Sequence, residues 1–411
     1  MENKTIEQID KTLCTGCGLC SLKCPKSCIT MPENEEGFRF PKIDKSVCIN
    51  CGICLNMCPA TEASDTLYHK SPRSYFAAIS EDKETLIKSS SGGVFGVLAK
   101  HILNLGGYVC GCVYDCNTEP THIITNKDED IEKMFGSKYV QSRAEHCFSE
   151  ILELLNSDKT VMFTGTACQI SALLLFLEKD FPNLLCVEIL CHGVPSPGFF
   201  RVYKNHLEKK LRGKVLDIRF RDKRRDGWGS EHRTCIIYEK NGKACEHRPI
   251  LPAYFSAFFY GLNLRESCYG CKFATSERVA DLTIGDFWGS WAKYGNRFNE
   301  GISVVGINSE KGQALCLEIS KAFDFYDFLT EAEAIKSNDN FTHPIPRPRE
   351  RRTFYNGVLK KGYRGMWKKA YLTRTYRKKT LASVYGALIP AKIRFFIQTK
   401  KSALKRVFAK H

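Results

Sequence analysis

At 411 residues, 43% hydrophobic and 26% charged, the chain is long enough for two or three compact domains with hydrophobic cores. Its net charge of +16 is a local property: from position 345 onward there are 20 Lys or Arg and one acid, Glu350, a net of +19 that leaves −3 for the rest. A basic, nucleic-acid-binding main body is excluded, and so is a helical membrane protein, since no run approaches the roughly 20 apolar residues a spanning helix needs. The first ten residues are polar and lack the apolar stretch of a secretory signal, so the chain is read as cytoplasmic. There, 21 cysteines point to metal or redox chemistry rather than to disulfides.

The first segment, residues 1–68, carries two cysteine runs: Cys14-x-x-Cys17-x-x-Cys20-x-x-x-Cys24-Pro25 and Cys48-x-x-Cys51-x-x-Cys54-x-x-x-Cys58-Pro59. This is the spacing of bacterial two-cluster ferredoxins, written twice. Three thiolates two residues apart wrap one face of a four-iron cubane. The small residues Gly16, Gly18 and Gly52 leave backbone N–H groups free to face its sulfurs. The fourth Cys of each run is expected to start a helix and cross to the other cluster. One 4Fe–4S cluster is therefore assigned to Cys14, Cys17, Cys20 and Cys58, and a second to Cys48, Cys51, Cys54 and Cys24, with Cys28 a spare thiol. A zinc ribbon is the competing reading, but zinc sites use two separated pairs rather than a third Cys and a repeated Cys-Pro ending.

A polar link at 65–74 leads into an α/β segment, residues 72–345. Ser89-Ser-Ser-Gly-Gly93 precedes apolar residues at helical spacing (Val94, Val97, Leu98, Ile102), with His101 read as a packed histidine. Such a loop presents N–H groups to an anion or simply caps its helix. Residues 160–164 read as a buried strand, 165–169 as a turn, 170–179 as a helix and 184–190 as the next strand. A right-handed crossover makes the two strands parallel neighbours, which puts Cys168 and Cys191 on one rim of the sheet, where open α/β sheets bind ligands. Cys268-Tyr-Gly-Cys271 alone fits a zinc half-site, a redox disulfide or coincidence. With Cys168 and Cys191 it supplies four thiols for a third 4Fe–4S cluster. The other cysteines are read as packed or incidental, with the Cys110-Gly-Cys112 pair least settled.

Six motifs then occur in order: Ser90-Ser-Gly-Gly93, Gly136-Ser-Lys-Tyr-Val-Gln-Ser142, Gly165-Thr-Ala-Cys-Gln169, Cys191-His-Gly-Val-Pro-Ser-Pro197, Cys268-x-x-Cys271 and Asp281-Leu-Thr-Ile-Gly-Asp-Phe-Trp-Gly289. They resemble the family of beta subunits of coenzyme F-420-reducing hydrogenase and formate dehydrogenase, over roughly residues 70–345. Members of that family, the plant chlorophyll-cycle reductase among them, also carry N-terminal ferredoxin fusions, and many bacterial members accompany surface-polysaccharide genes. The resemblance implies FAD with a 4Fe–4S cluster beside it, held by Cys168, Cys191, Cys268 and Cys271. It also implies flavin contacts from Ser90, Ser91, Gly92, Gly93, Ser137, Lys138, Tyr139, Gln169, His192, Gly285, Asp286 and Trp288, with Lys138 and Asp286 catalytic. The family usually has Pro where Ala167 stands.

The expected fold class is an α+β ferredoxin-like N-terminal domain, then an α/β flavin and 4Fe–4S domain, then a basic helical tail over 346–411. The expected activity is that of an iron–sulfur flavoprotein oxidoreductase. It exchanges electrons with a ferredoxin or another redox protein and with a small organic substrate, a deazaflavin coenzyme or a polysaccharide-pathway metabolite. The alternative is an electron-transfer subunit serving a partner enzyme; a further rival is a redox sensor or scaffold with structural clusters and no flavin. The run Arg219-Phe-Arg-Asp-Lys-Arg-Arg225 suits an acidic substrate, an acidic ferredoxin or a solvated turn. In the tail, Phe354, Val358, Tyr363, Met366, Trp367, Tyr371, Ile389, Ile393, Phe395, Phe396 and Ile397 alternate with Lys and Arg. That pattern suits a helix lying on an anionic membrane surface or one packed back onto the body. Nucleic acid is disfavoured because no recognised binding motif is present.

Overall fold

The computed structural model describes residues 4–69, 74–225, 227–228, 234–249, 252–336 and 338–371. In the N-terminal segment, strands β1 (Ile29–Thr30) and β2 (Lys42–Ile43) pair antiparallel, and short helices Leu19–Leu22 and Ile53–Asn56 repeat one another. Each helix is preceded by a glycine in the left-handed region, Gly18 at φ 81° and Gly52 at φ 82°, a conformation that costs other residues a Cβ clash. The expected placement of the fourth cysteines changes here. Cys20 and Cys54 lie inside these helices, and Cys24 and Cys58 follow them rather than starting a helix.

The body is built on an eight-stranded mixed sheet of order β13-β3-β12-β11-β7-β6-β4-β5. Its strands are β3 (Ser74–Ser80), β4 (Tyr108–Tyr114), β5 (Pro120–Thr125), β6 (Val161–Gly165), β7 (Leu184–Ile189), β11 (Leu282–Asp286), β12 (Ser303–Ile307) and β13 (Phe323–Leu329). Four neighbours, β11, β7, β6 and β4, run parallel, with antiparallel strands outside them. The expected β–α–β unit is present: β6 and β7 pair in parallel with Val161 opposite Leu184, joined by helix Ala167–Leu177. Alternation along β6 explains its unbroken apolar run. Val161 and Phe163 pack into one core with Ile170 and Leu173 of that helix, while Met162 packs into the other with Val94 and Leu98 of helix Val94–Asn104. The helix starts earlier than expected, because Thr166 and Gln169 form a reciprocal capping box that makes Ala167 the first helical residue.

A smaller antiparallel sheet, β8 (Lys214–Arg219), β9 (Cys235–Lys240) and β10 (Lys243–His247), joins helix Pro197–Leu211 and helix Ala253–Phe259 over an aromatic core. Helix Arg351–Tyr371 packs back onto that core through Phe354, Tyr355, Val358, Met366, Ala370 and Tyr371. Burial holds this element, since each large apolar side chain contributes about 1.5–3 kcal/mol. Three glycines and a break at Gly362 (φ 53°) argue against intrinsic helicity. For this part of the tail the structure favours the packed arrangement over the interfacial one; Ile389, Ile393, Phe395, Phe396 and Ile397 lie outside the described residues. No helix among the described residues is long and apolar enough to cross a membrane.

The N-terminal segment is docked on the body by specific polar contacts. Arg39 pairs with Glu145 at 2.7 Å, Lys272 with Asp65 at 2.8 Å, and Arg351 grips both oxygens of Glu36 at 3.0 and 2.8 Å. Gly37 meets Gly198 backbone to backbone, where an added Cβ would lie 2.4 Å from the Gly198 Cα.

Candidate functional site

The sheet's parallel strands end on one rim, and that rim delivers the functional side chains. Cys168 follows β6 on the first turn of its helix, Cys191 and His192 follow β7, and Trp288 follows β11. The Cys268 and Cys271 pair arrives from a 3-10 turn, Glu266–Gly270, and closes on the same spot. Cys191 has Cys268, Cys168 and Cys271 as charged neighbours, and all four line a small cavity of about 80 Å³. In the N-terminal segment Cys20 has Cys17, Cys14 and Cys58 close by, and Cys54 has Cys51, Cys24 and Cys48. The pairing of each run with the other's fourth cysteine, expected from the spacing, is the arrangement of these neighbours. Burial, then adjacent thiols, push Cys168 to about 11 and hold Cys20 and Cys191 well above the ordinary thiol value.

Four thiols crowded in three places fit 4Fe–4S clusters, whose irons supply the positive charge that the protein withholds there. Among the described residues no three His, Cys, Asp or Glu side chains converge as they would on a single metal ion. A cubane is a wider body than an ion and is approached from its corners. The quartets form a series. Cys54 of the second lies near Cys20 of the first, and Cys17 of the first lies near Cys168 of the third. Cys28 sits buried with its Sγ 3.4 Å from that of Cys24, outside all three.

Beside the third quartet, a cavity of about 560 Å³ runs along the rim, within the range of ligand and cofactor sites. Its wall includes Cys17, Cys168 and Cys191 together with Ser90, Ser91, Gly93, Ser137, Lys138, Tyr139, Gln169, His192, Gly285, Asp286 and Trp288. Gly92 is not on the wall. It packs against Ala78 and gives its N–H to Ser303 Oγ at 2.9 Å, so this N–H is not offered to an anion as expected. Much of the remaining polarity is also engaged within the protein. Ser91 Oγ donates to the Ile302 carbonyl at 2.7 Å, and Ser90 Oγ accepts from the Ser137 N–H at 2.9 Å. Gln169 completes the capping box and donates to Ser142 Oγ at 3.1 Å. Lys138 Nζ donates to the carbonyls of Lys133 and Phe135 at 2.7 and 2.9 Å, and burial lowers its pKa. Gly285 packs against Leu190.

Asp286, expected as catalytic, is held in place by two partners: it pairs with Arg221, and its Oδ1 accepts from Trp228 Nε1 at 3.3 Å. The Arg221 guanidinium lies between Trp228 and Trp288, 5.1 and 4.8 Å from the ring centroids, and also donates to the Tyr139 hydroxyl at 3.4 Å. The basic run around it is therefore not a solvated turn: Arg221, Asp222 and Lys223 are buried. Lys223 Nζ donates to the carbonyls of Ser91 and Glu300, and burial lowers its pKa to about 7. Two buried atoms at the cavity, Arg221 Nη2 and His192 Nε2, have no hydrogen-bond partner among the described residues. Such orphans mark where a ligand completes the protein's polar groups.

Sequence reasoning did not single out Arg265, Thr15 or Gly16 as wall residues of these cavities. Arg265 sits three positions before Cys268 and carries no motif of its own. His101, expected as packed, is part-buried and reaches Glu318 at 3.2 Å instead. Cys110 is buried in the core, whereas Cys112 lines the cavity.

Residues 158–325 match the family described as the C terminus of the coenzyme F420 hydrogenase/dehydrogenase beta subunit, and residues 13–61 match the 4Fe-4S dicluster domain. The resemblance carried by the six motifs is thereby borne out. The chain is 28% identical over 210 residues to the F subunit of the F(420)H(2) dehydrogenase of Methanosarcina mazei, an overlap of 47% of this chain and 59% of that relative. A chain of the xenon-derivatised F420-reducing [NiFe] hydrogenase complex from Methanosarcina barkeri shares 18% identity at a TM-score of 0.43, covering 74% of this chain and 91% of that one. The chain is accordingly an iron–sulfur protein of the electron-transfer type, with a dicluster ferredoxin segment ahead of the beta-subunit region.

Proposed function

We propose that this chain passes electrons through three 4Fe–4S clusters to FAD held in the rim cavity, and between FAD and a two-electron organic substrate. The observation that carries this reading is the placement of the third quartet. Cys168 stands beside Cys17 of the ferredoxin segment, and Cys168 and Cys191 also form part of the cavity wall. Bound FAD exchanges single electrons with clusters and electron pairs with organic molecules, which suits a cavity at the end of a wire. In this reading Arg221 Nη2 and His192 Nε2 turn toward the bound cofactor or substrate, while Trp288 and Trp228 exclude water from the Arg221 charge. Asp286 acts by fixing Arg221 rather than by moving a proton. Lys138 supplies positive charge to the wall near the cofactor.

The external donor or acceptor is a ferredoxin or another redox protein meeting the N-terminal segment, where Cys51 is exposed. The substrate class is a deazaflavin coenzyme or a polysaccharide-pathway metabolite. A second reading, an electron-transfer subunit without its own substrate, is favoured by the printed name of the Methanosarcina mazei relative, one subunit of a dehydrogenase. Anaerobically purified chain separates the two. About one acid-released FAD per chain with turnover of a two-electron acceptor supports the enzyme. Bound FAD without turnover supports the subunit, and absence of flavin rejects the cavity assignment.

A further inference from the structure

We propose that Arg265 is the electrostatic link between the first and third iron–sulfur centres, its fixed charge raising the reduction potential of both. The proposal rests on the three-cluster reading above. Arg265 is 1% exposed, among the most buried large side chains of the described residues. Its Nε donates to the Cys14 carbonyl at 2.6 Å, and its Nη2 reaches the Arg39 carbonyl at 2.8 Å and Cys14 Sγ at 3.5 Å. Its Nη1 donates to Gln141 Oε1 at 3.2 Å. The other side of the same residue lines the small cavity among Cys168, Cys191, Cys268 and Cys271, and its charge acts on Cys168 and Cys268. Its backbone is fixed as well: its carbonyl accepts the Cys268 N–H at 3.0 Å.

None of these contacts is with a carboxylate. A guanidinium cannot shed its proton, and burying one without a counter-charge is costly. An anion is therefore required at this spot, and the thiolate-ligated centres on either side are the anions available. Gly16 belongs to the same device, since a Cβ there would lie 2.6 Å from Arg265 Nη1. Reduction adds one electron to a centre and moves no proton in this account. The nearby cation favours the added electron and holds both centres within reach of each other in potential.

The test is an EPR-monitored potentiometric titration of the anaerobically prepared full chain, with iron counted in each variant. For Arg265→Gln, the account expects two of the three couples to shift to lower potential. The reduced-to-oxidised ratio at fixed potential should fall about tenfold, equivalent to about 59 mV for a one-electron couple. The centre assigned to Cys48, Cys51, Cys54 and Cys24 should stay in place, and Arg265→Lys should recover most of the shift. If Arg265→Gln does not fold, Gln141→Glu sets a carboxylate against Nη1 and should lower the same two couples. Unmoved couples in an iron-replete variant, or an equal shift of all three, would overturn the proposal. About eight irons in the unaltered chain would instead reject the three-cluster reading, and with it the link.

Discussion

At the scale of single residues, the site depends on charges buried with their partners. The Arg221 side chain is 4% exposed and that of Asp286 17%, so removing one leaves the other in a poor dielectric. Arg221→Leu should lower stability by about 3–5 kcal/mol, and adding Asp286→Leu should return part of the loss, both read from urea denaturation midpoints. Lys223 gives a pH signature. Burial lowers its folded pKa to about 7, below its unfolded value of about 10.4. Between those values the unfolded chain binds the extra proton, so Lys223 makes stability rise with pH from about 7 to about 10. Lys223→Met should flatten that rise relative to the parent, and a difference curve of unchanged slope would remove Lys223 from the account. The cysteine ligands could be read from spacing because cluster geometry dictates it. Arg221 was visible only as one of several basic residues, and Arg265 not at all, because their roles arise from contacts across 65 or more positions of chain.

At the scale of elements, the turn that presents Cys168 is set by local chemistry. The Thr166–Gln169 capping box fixes the helix start, and Ala167 occupies the first helical position, where a proline is well tolerated. Thr166→Ala should cost about 0.5–2 kcal/mol and Ala167→Pro should be neutral or stabilising by up to about 1 kcal/mol, as thermal melts will show. Marked destabilisation by Ala167→Pro would mean that the Ala167 N–H has an acceptor the structure does not give it. The β6–helix–β7 unit was legible because its apolar runs and bounding glycine leave few alternatives. The reach of the capping box was not, because Gln169 and Cys168 share a motif that reads first as cofactor chemistry. Helix Arg351–Tyr371 shows the same ambiguity: aromatic residues among lysines fit a membrane surface or a protein core equally well. Here Phe199, Tyr203 and Tyr254 supply the core.

At the scale of the whole molecule, the docked ferredoxin segment turns separate cysteine sets into a series. Arg39–Glu145, Arg351–Glu36 and the Arg265 contacts hold Cys17 beside Cys168, and the rim of the parallel strands holds Cys168 beside the cavity. Segment order and the two-cluster motif were readable in advance, but the interface was not, since it is built from single residues scattered over both regions. The central claim is that three centres, not two, lie along this path. The measurement is iron and acid-labile sulfide per chain on anaerobically purified protein, with Cys191→Ser and Cys28→Ser beside it. The account predicts about twelve irons, a loss of about four in Cys191→Ser and none in Cys28→Ser. About eight irons in the parent, unchanged by Cys191→Ser, would contradict it.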